Sequence, residues 1–139
     1  MEWAALVPEL ICSDLAASVR FYRDVLGFGI RFERPEDGFA YLELGGAQLM
    51  LEQQRPESWL TGPMEPPFGR GINLQIEVDS IGPIHDRIAA AGVALFVGPR
   101  TSWYRQDDIE HGQIEMLVQD PDGYLLRLVE ILPQRPAQR

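Results

Sequence analysis

An arginine stands inside an apolar run near the end of the chain: Arg127 in Tyr124-Leu-Leu-Arg-Leu-Val-Glu-Ile131. A permanent cation in such a run needs an acceptor, and a carboxylate is the best one because it takes the guanidinium fork at two oxygens. Glu9, Glu52 and Glu115, each set among apolar neighbours, are the candidates. Trp103 and Tyr104 come shortly before Asp107, Asp108 and Glu110. Aromatic faces beside carboxylates suit a flat cation, through stacking and cation–π attraction; the competing assignment for the two rings is a core or a dimer seam. Nucleophilic and metal chemistry are poorly supplied. Cys12 sits in an apolar stretch and reads as a small core residue. His85 lies beside Asp86 and Arg87 on a helix and reads as solvated, and His111 follows an acidic loop. Nucleophile-elbow serines, phosphate-cradling glycine loops and paired-cysteine motifs are missing from the sequence.

Composition narrows the function classes. The chain has 139 residues, 45% of them hydrophobic, enough for one compact domain with a real core. A formal net charge of −9 argues against nucleic acid, whose phosphates need a basic face, and permits cationic ligands. The sequence has neither an apolar stretch near the length of a membrane span nor a signal-like segment. A single cysteine fits a reducing cytoplasm. These features lead us to expect a cytoplasmic protein with no membrane or nucleic-acid partner.

The elements that position these residues are repeated. The stretch SDLAASVRFYRDVLGF (13–28) recurs in pattern as VDSIGPIHDRIAAAGV (78–93), with Asp14 matching Asp79, Val19 matching Ile84 and Gly27 matching Gly92. Each reads as a helix with an acidic N-cap, apolar residues at helical spacing and a closing glycine. A strand precedes each helix, at 6–12 and 72–78, and three follow it: 29–34, 39–44 and 47–53 in the first half, 94–99, 113–119 and 124–131 in the second. Gly45-Gly46 and Asp120-Pro-Asp-Gly123 provide the corresponding hairpin turns. The expected organisation is a first βαβββ module at 1–54, a proline- and glycine-rich linker at 55–71, a second βαβββ module at 72–132 and a flexible tail at 133–139.

This pattern resembles the vicinal oxygen chelate superfamily, which includes glyoxalase I, extradiol dioxygenases and the fosfomycin- and bleomycin-resistance proteins. The resemblance rests on SDLAASVRFYRDVLGF, FAYLELGGAQLMLE and QDPDGYLLRLVE and covers almost the whole chain. It implies an α+β fold, two tandem βαβββ modules whose curved mixed sheets form a cleft. In the metal enzymes of that superfamily, ligands come from the first and last strands of each module. The matching positions here are Val7, Met50, Asn73 (or Ile72, one register earlier) and Arg127. None is a plausible ligand for zinc or a hard cation, and Arg127 would put a positive charge where the metal sits. A displaced site would have to draw on Glu9, Glu52, His111 or Glu115.

The resemblance is therefore closest to the metal-free bleomycin-resistance-like branch, whose members sequester a bulky cationic drug without turning it over. It implies a homodimer binding a small molecule without a cofactor. The alternative is a metal-dependent lyase, isomerase or dioxygenase using non-standard ligands. Strand alternation selects the lining. If Arg127 faces inward, so do Leu125 and Val129; Met50 takes Gln48 and Glu52 with it; Asn73, Gln75 and Glu77 share one face of their strand. The expected ligand-binding set is Tyr41, Met50, Glu52, Asn73, Gln75, Trp103, Tyr104, Glu115 and Arg127, with no catalytic and no metal residues. Trp59 and Phe68, in the linker, are expected in a lid or an interface, and Trp3 on the core or a partner chain.

Overall fold

A computed structural model describes residues 2–138. The outermost residue of each of the ranges 1–54 and 133–139 lies outside them. The elements run β1 (Glu9–Cys12), α1 (Leu15–Arg20, continuing as a π-helical segment Phe21–Leu26), β2 (Gly29–Arg34), β3 (Phe39–Leu44), β4 (Ala47–Gln53), β5 (Asn73–Glu77), α2 (Ile81–Ala90), β6 (Val97–Gln106), β7 (Ile109–Gln119) and β8 (Leu125–Pro136). Two four-stranded mixed sheets result, ordered β1-β4-β3-β2 and β5-β8-β7-β6. In each, the outer strand β1 or β5 runs parallel to its neighbour and the other pairings are antiparallel. These are the two tandem βαβββ modules of an α+β fold.

The chain falls into two compact units, residues 1–72 with 120–124, and 73–119 with 125–139. In the first, Asp14 caps α1, its carboxylate accepting from Ala17 N at 3.2 Å, and Gly27 ends the helical stretch in a left-handed conformation. Tyr22, Leu26, Phe28, Leu42, Leu49 and Leu51 form the core between helix and sheet. The Asp-Pro-Asp-Gly turn belongs to this unit, which explains its composition. The buried Asp120 carboxylate accepts from Tyr22 OH at 2.8 Å and from the backbone of Asp122 and Tyr124. Asp122 takes Ser13 N at 3.0 Å and Ser13 Oγ at 2.5 Å, and Tyr124 OH donates to Ile11 O at 3.0 Å. At Gly123 a Cβ would come within 2.4 Å of Pro67 Cβ, so no other residue fits.

The second unit departs from expectation in three places. Ser80, not Asp79, occupies the N-cap of α2, and its side chain makes no capping bond. β6 and β7 are longer than the alternation suggested: Gln106 pairs with Ile109, so Trp103 and Tyr104 lie in a strand and Asp107-Asp108 is a tight hairpin turn. β8 runs on to Pro136, pairing Arg135 with Glu110 and Pro136 with Ile109, so residues 133–136 continue a strand where a tail was expected. The long β7 arm supplies the partner that carries them. Phe68 is buried against Tyr124, ring centroids 5.9 Å apart, and thus serves the core of the first unit, not an interface.

Candidate functional site

The first sheet gathers charge at one end. Parallel pairing sets Glu9 beside Met50 and Ile11 beside Glu52. Antiparallel pairing sets Tyr41 beside Met50 and Phe39 beside Glu52. Alternate residues share a face, so Tyr41, Met50, Phe39 and Glu52 lie on one surface. Glu9, Glu52, Asp37 and Glu57 line a cavity of about 560 Å3 together with Arg34, Arg55, Phe39, Ser58 and Trp59. Four carboxylates face two guanidiniums there. Arg55 Nη2 donates to Glu52 Oε1 at 2.7 Å, and its Nε lies 3.6 Å from Glu57. Arg34 pairs with Asp37 at 3.0 Å and stacks 4.1 Å above the Phe39 ring. Desolvation, then the charge of Glu52 and a hydrogen bond with it, push the Glu9 carboxyl above the ordinary carboxylate range, against the pull of Arg34 and Arg55. Glu9 therefore holds its proton more readily than an isolated acid would. Trp59 at the rim is 94% exposed, leaving its ring free for stacking.

The second sheet places a different arrangement on its polar face. Glu115 is only 1% exposed, and its carboxylate is ringed by donors. Ser102 Oγ and Tyr104 OH each donate to Oε1 at 2.7 Å, Arg100 Nε to Oε1 at 3.2 Å, and Gln113 Nε2 to Oε2 at 2.8 Å. Burial pushes this carboxyl up, but the bonds from Ser102, Gln113, Tyr104 and Arg100 outweigh it and hold it at about 2. Arg127 Nη1 lies 4.0 Å from Glu115 Oε2, an ion pair without a hydrogen bond. The expected two-point pairing of Arg127 with Glu115 does not form; the hydrogen bonds to Glu115 come from Ser102, Tyr104, Arg100 and Gln113 instead. Gln75 stands beside Arg127 across the β5–β8 pairing, and Asn73 follows on the same exposed face.

Of the residues expected to line one site, Tyr41, Met50 and Glu52 come together in the first unit. Asn73, Gln75, Tyr104, Glu115 and Arg127 come together in the second. Trp103 does not join them. It points to the opposite face from Tyr104, covering Gly112, where a Cβ would lie 2.4 Å from its ring, and carries the Arg135 guanidinium 3.8 Å from its centroid. One residue of register separates the two faces of a strand, and the acidic turn said nothing about which ring fell on which. Phe39, Arg34, Asp37 and Arg55 were missed. Phe39 had a readable signal, since it shares its face with Tyr41 two residues on; Arg34 ends β2, and Asp37 and Arg55 come from connecting segments whose geometry the alternation does not specify.

The positions at which the resemblance puts metal ligands hold Val7, Met50, Asn73 (or Ile72) and Arg127: an alkyl group, a thioether, an amide (or a second alkyl group) and a guanidinium. They do not fit a zinc or hard-cation site. Among the described residues no group of three or more His, Cys, Asp or Glu could hold a metal. His111 is engaged on Nε2 by Gln106 Oε1 at 2.6 Å. Cys12 is fully buried, and desolvation pushes its thiol up to about 12, which makes it an inert core residue. No helix among the described residues is long and apolar enough to cross a membrane.

Comparisons with known proteins agree with this architecture. The family model of the Glyoxalase/Bleomycin resistance protein/Dioxygenase superfamily matches residues 4–128. Bleomycin resistance proteins from Geobacillus stearothermophilus and Staphylococcus aureus are 28% identical over 132 residues, covering 86% of this chain and 91% of theirs. TioX from Micromonospora sp. ML1 has the same fold with a TM-score of 0.71 at 19% identity, covering 93% of this chain and 100% of its own. The virulence protein STM3117 from Salmonella typhimurium aligns with a TM-score of 0.69 at 22% identity over 95% of this chain and 100% of its own. This chain belongs to the glyoxalase/bleomycin resistance protein/dioxygenase superfamily.

Proposed function

We propose that this chain is a metal-free small-molecule binding protein that sequesters a bulky cationic or aromatic compound, as the name of its bleomycin resistance relatives suggests. One observation carries the reading: a cavity of about 560 Å3 lined by Glu9, Glu52, Asp37 and Glu57 and walled by Phe39 and the exposed Trp59. Carboxylates in excess of guanidiniums favour a cation, and the rings give it a flat surface to stack on. Tyr41, Met50 and Glu52 supply contacts in the first unit. Asn73, Gln75, Tyr104, Glu115 and Arg127 supply polar contacts in the second. The side chains at the metal-enzyme positions support a metal-free role, because none can donate an electron pair to zinc as an anion or imidazole. The protein works as a homodimer in the cytoplasm; exposed Leu6, Ile72 and Phe96 offer apolar surface for a partner chain, and the lone thiol suits a reducing compartment.

Isothermal titration with metal-free bleomycin and with simple aromatic cations tests the reading, alongside metal analysis of the purified protein. Binding should raise the melting temperature by mass action. Trp59→Ala should weaken it roughly tenfold, about 1.4 kcal/mol, while leaving the melting temperature of the free protein unchanged, since an exposed ring contributes little to folding. Stoichiometric, tightly held nickel, zinc, iron or manganese would replace the reading with a metal-dependent lyase, isomerase or dioxygenase using non-standard ligands. A sedimentation measurement giving a monomer at micromolar concentration would remove the homodimer.

A further inference from the structure

The first sheet carries a second aromatic surface, and the chain itself occupies it. Phe32 and Tyr41 stack across the β2–β3 pairing, centroids 5.2 Å apart at 14°. Trp3 stands edge-on to both, 5.1 Å from Tyr41 at 88° and 6.0 Å from Phe32 at 78°, with the Arg31 guanidinium 6.0 Å from its own centroid. Two hydrogen bonds hold the segment that delivers it: Ala4 N donates to Gln48 Oε1 at 2.9 Å, and Gln48 Nε2 donates to Glu2 O at 2.7 Å. Gln48 Oε1 is itself oriented by Tyr41 OH at 2.5 Å. Yet Trp3 remains 58% exposed, and residues 2–8 form no helix or strand. A tryptophan that completed a core would be far more enclosed. This one rests in a shaped aromatic seat on a short segment outside any helix or strand.

One ring contact links the seat to the wall of the carboxylate-lined cavity. Phe39, which lines that cavity, lies 5.9 Å from Phe32, so Phe39, Phe32 and Tyr41 form a row of rings leading from Glu52 to Trp3. We propose that Trp3 is a built-in stand-in for the flat part of the ligand, so that the site takes an elongated aromatic cation whose charged end lies at Glu52 and whose ring displaces Trp3 from Phe32 and Tyr41. This rests on the binding function proposed above and names the shape of ligand it takes. A ligand with one short ring fills the cavity without reaching the seat. A longer one must open the segment first, and its apparent affinity falls by the fraction of molecules in which the seat is free.

Two probes separate the cases: benzamidine, a one-ring cation, and 4′,6-diamidino-2-phenylindole, an elongated aromatic dication. Wild type, Trp3→Ala and Trp3→Phe are titrated with each by calorimetry. Indole N–H signals of the wild type are followed by NMR, the Trp3 signal being the one absent from Trp3→Phe. With an open fraction of about 0.1, Trp3→Ala should bind the long probe roughly tenfold more tightly and the short one unchanged, with Trp3→Phe between. The Trp3 indole signal should move to the position of an unfolded chain with the long probe only. Long-probe binding that is equal or weaker in Trp3→Ala overturns the stand-in and leaves the cation-binding function standing. Failure of both probes to bind wild type and variants alike overturns the two together.

Discussion

The two sheets derive from one repeated pattern, yet each treats its central carboxylate in the opposite way. In the second unit, Glu115 is sealed and saturated: four donors on its two oxygens hold it at about 2, and Arg127 adds only a 4.0 Å ion pair. In the first unit, Glu9 and Glu52 face each other beside open volume, and the carboxyl of Glu9 is pushed up. A carboxylate served by that many donors stiffens the sheet that holds it. Two facing acids with one guanidinium bond between them favour the arrival of a cation. The difference gives the acid of one unit a structural load that the acids of the other do not carry, although neither residue type nor strand position separates them.

Removing the saturated acid should break this comparison most visibly. Glu115→Ala leaves Ser102, Tyr104, Arg100 and Gln113 without their shared acceptor and should cost about 3–5 kcal/mol in urea unfolding. Acid titration of the wild type reports the same group. Its folded value is depressed, from an ordinary 4.5 to about 2, so the stabilisation is fully present above 4.5 and lost as pH falls towards 2. At about 1.4 kcal/mol per unit this amounts to roughly 3 kcal/mol. Glu115→Gln should flatten that part of the profile. A variant as stable as wild type with an unchanged profile would mean that Glu115 is no more structural than Glu9.

The sequence carried most of this fold. The helix pattern, the strands 29–34, 39–44 and 47–53, and both hairpin turns are local, and the structure reproduces them. The long β6–β7 arms were not readable, because Arg100, Thr101, Ser102 and Arg105 lack the apolar alternation of a half-buried strand; Ser102 and Arg100 are polar there because they serve Glu115. For the same reason Trp103 could not be assigned to a face from an acidic turn several residues away. The carboxylates Glu52 and Glu115 were legible as candidates, since each interrupts an apolar run. Their opposite states were not, because they depend on how many donors converge from other strands. Arg55 and Trp59, which shape the open cavity, come from a linker with no period to read.

Arg127 tests how far the saturation of Glu115 extends. Its side chain is 30% exposed and its Nε is buried without a partner. Arg127→Leu should therefore lower stability by only about 1 kcal/mol, the scale of a partly screened pair whose carboxylate keeps its other donors. Equilibrium unfolding measures it. A loss as large as that of Glu115→Ala would show that the guanidinium, not the ring of hydrogen bonds, keeps the acid ionised. If Arg127 contacts an anionic group of the ligand, the same variant weakens binding with its melting temperature nearly intact.

The smallest effect comes from the first unit, and it has the opposite sign. Folding raises the affinity of Glu9 for its proton, through desolvation and then through Glu52. A group raised in the folded state supports folding below its unfolded value, 4.5, and that support disappears as pH climbs through the folded value. At neutral pH, Glu9 is then a mild liability, which Glu9→Gln relieves by removing a charge beside Glu52. Because Glu9 is exposed as a residue, the gain in stability should stay within about 0.5 kcal/mol at low salt and shrink as salt is added. The same substitution should reduce the affinity for a cationic probe, since it takes away one of the acids facing the cavity. Stability rising while affinity falls is what a recognition site predicts. If Glu9→Gln instead destabilises the chain, the acids of the first unit belong to the scaffold, and the two sheets differ in degree only.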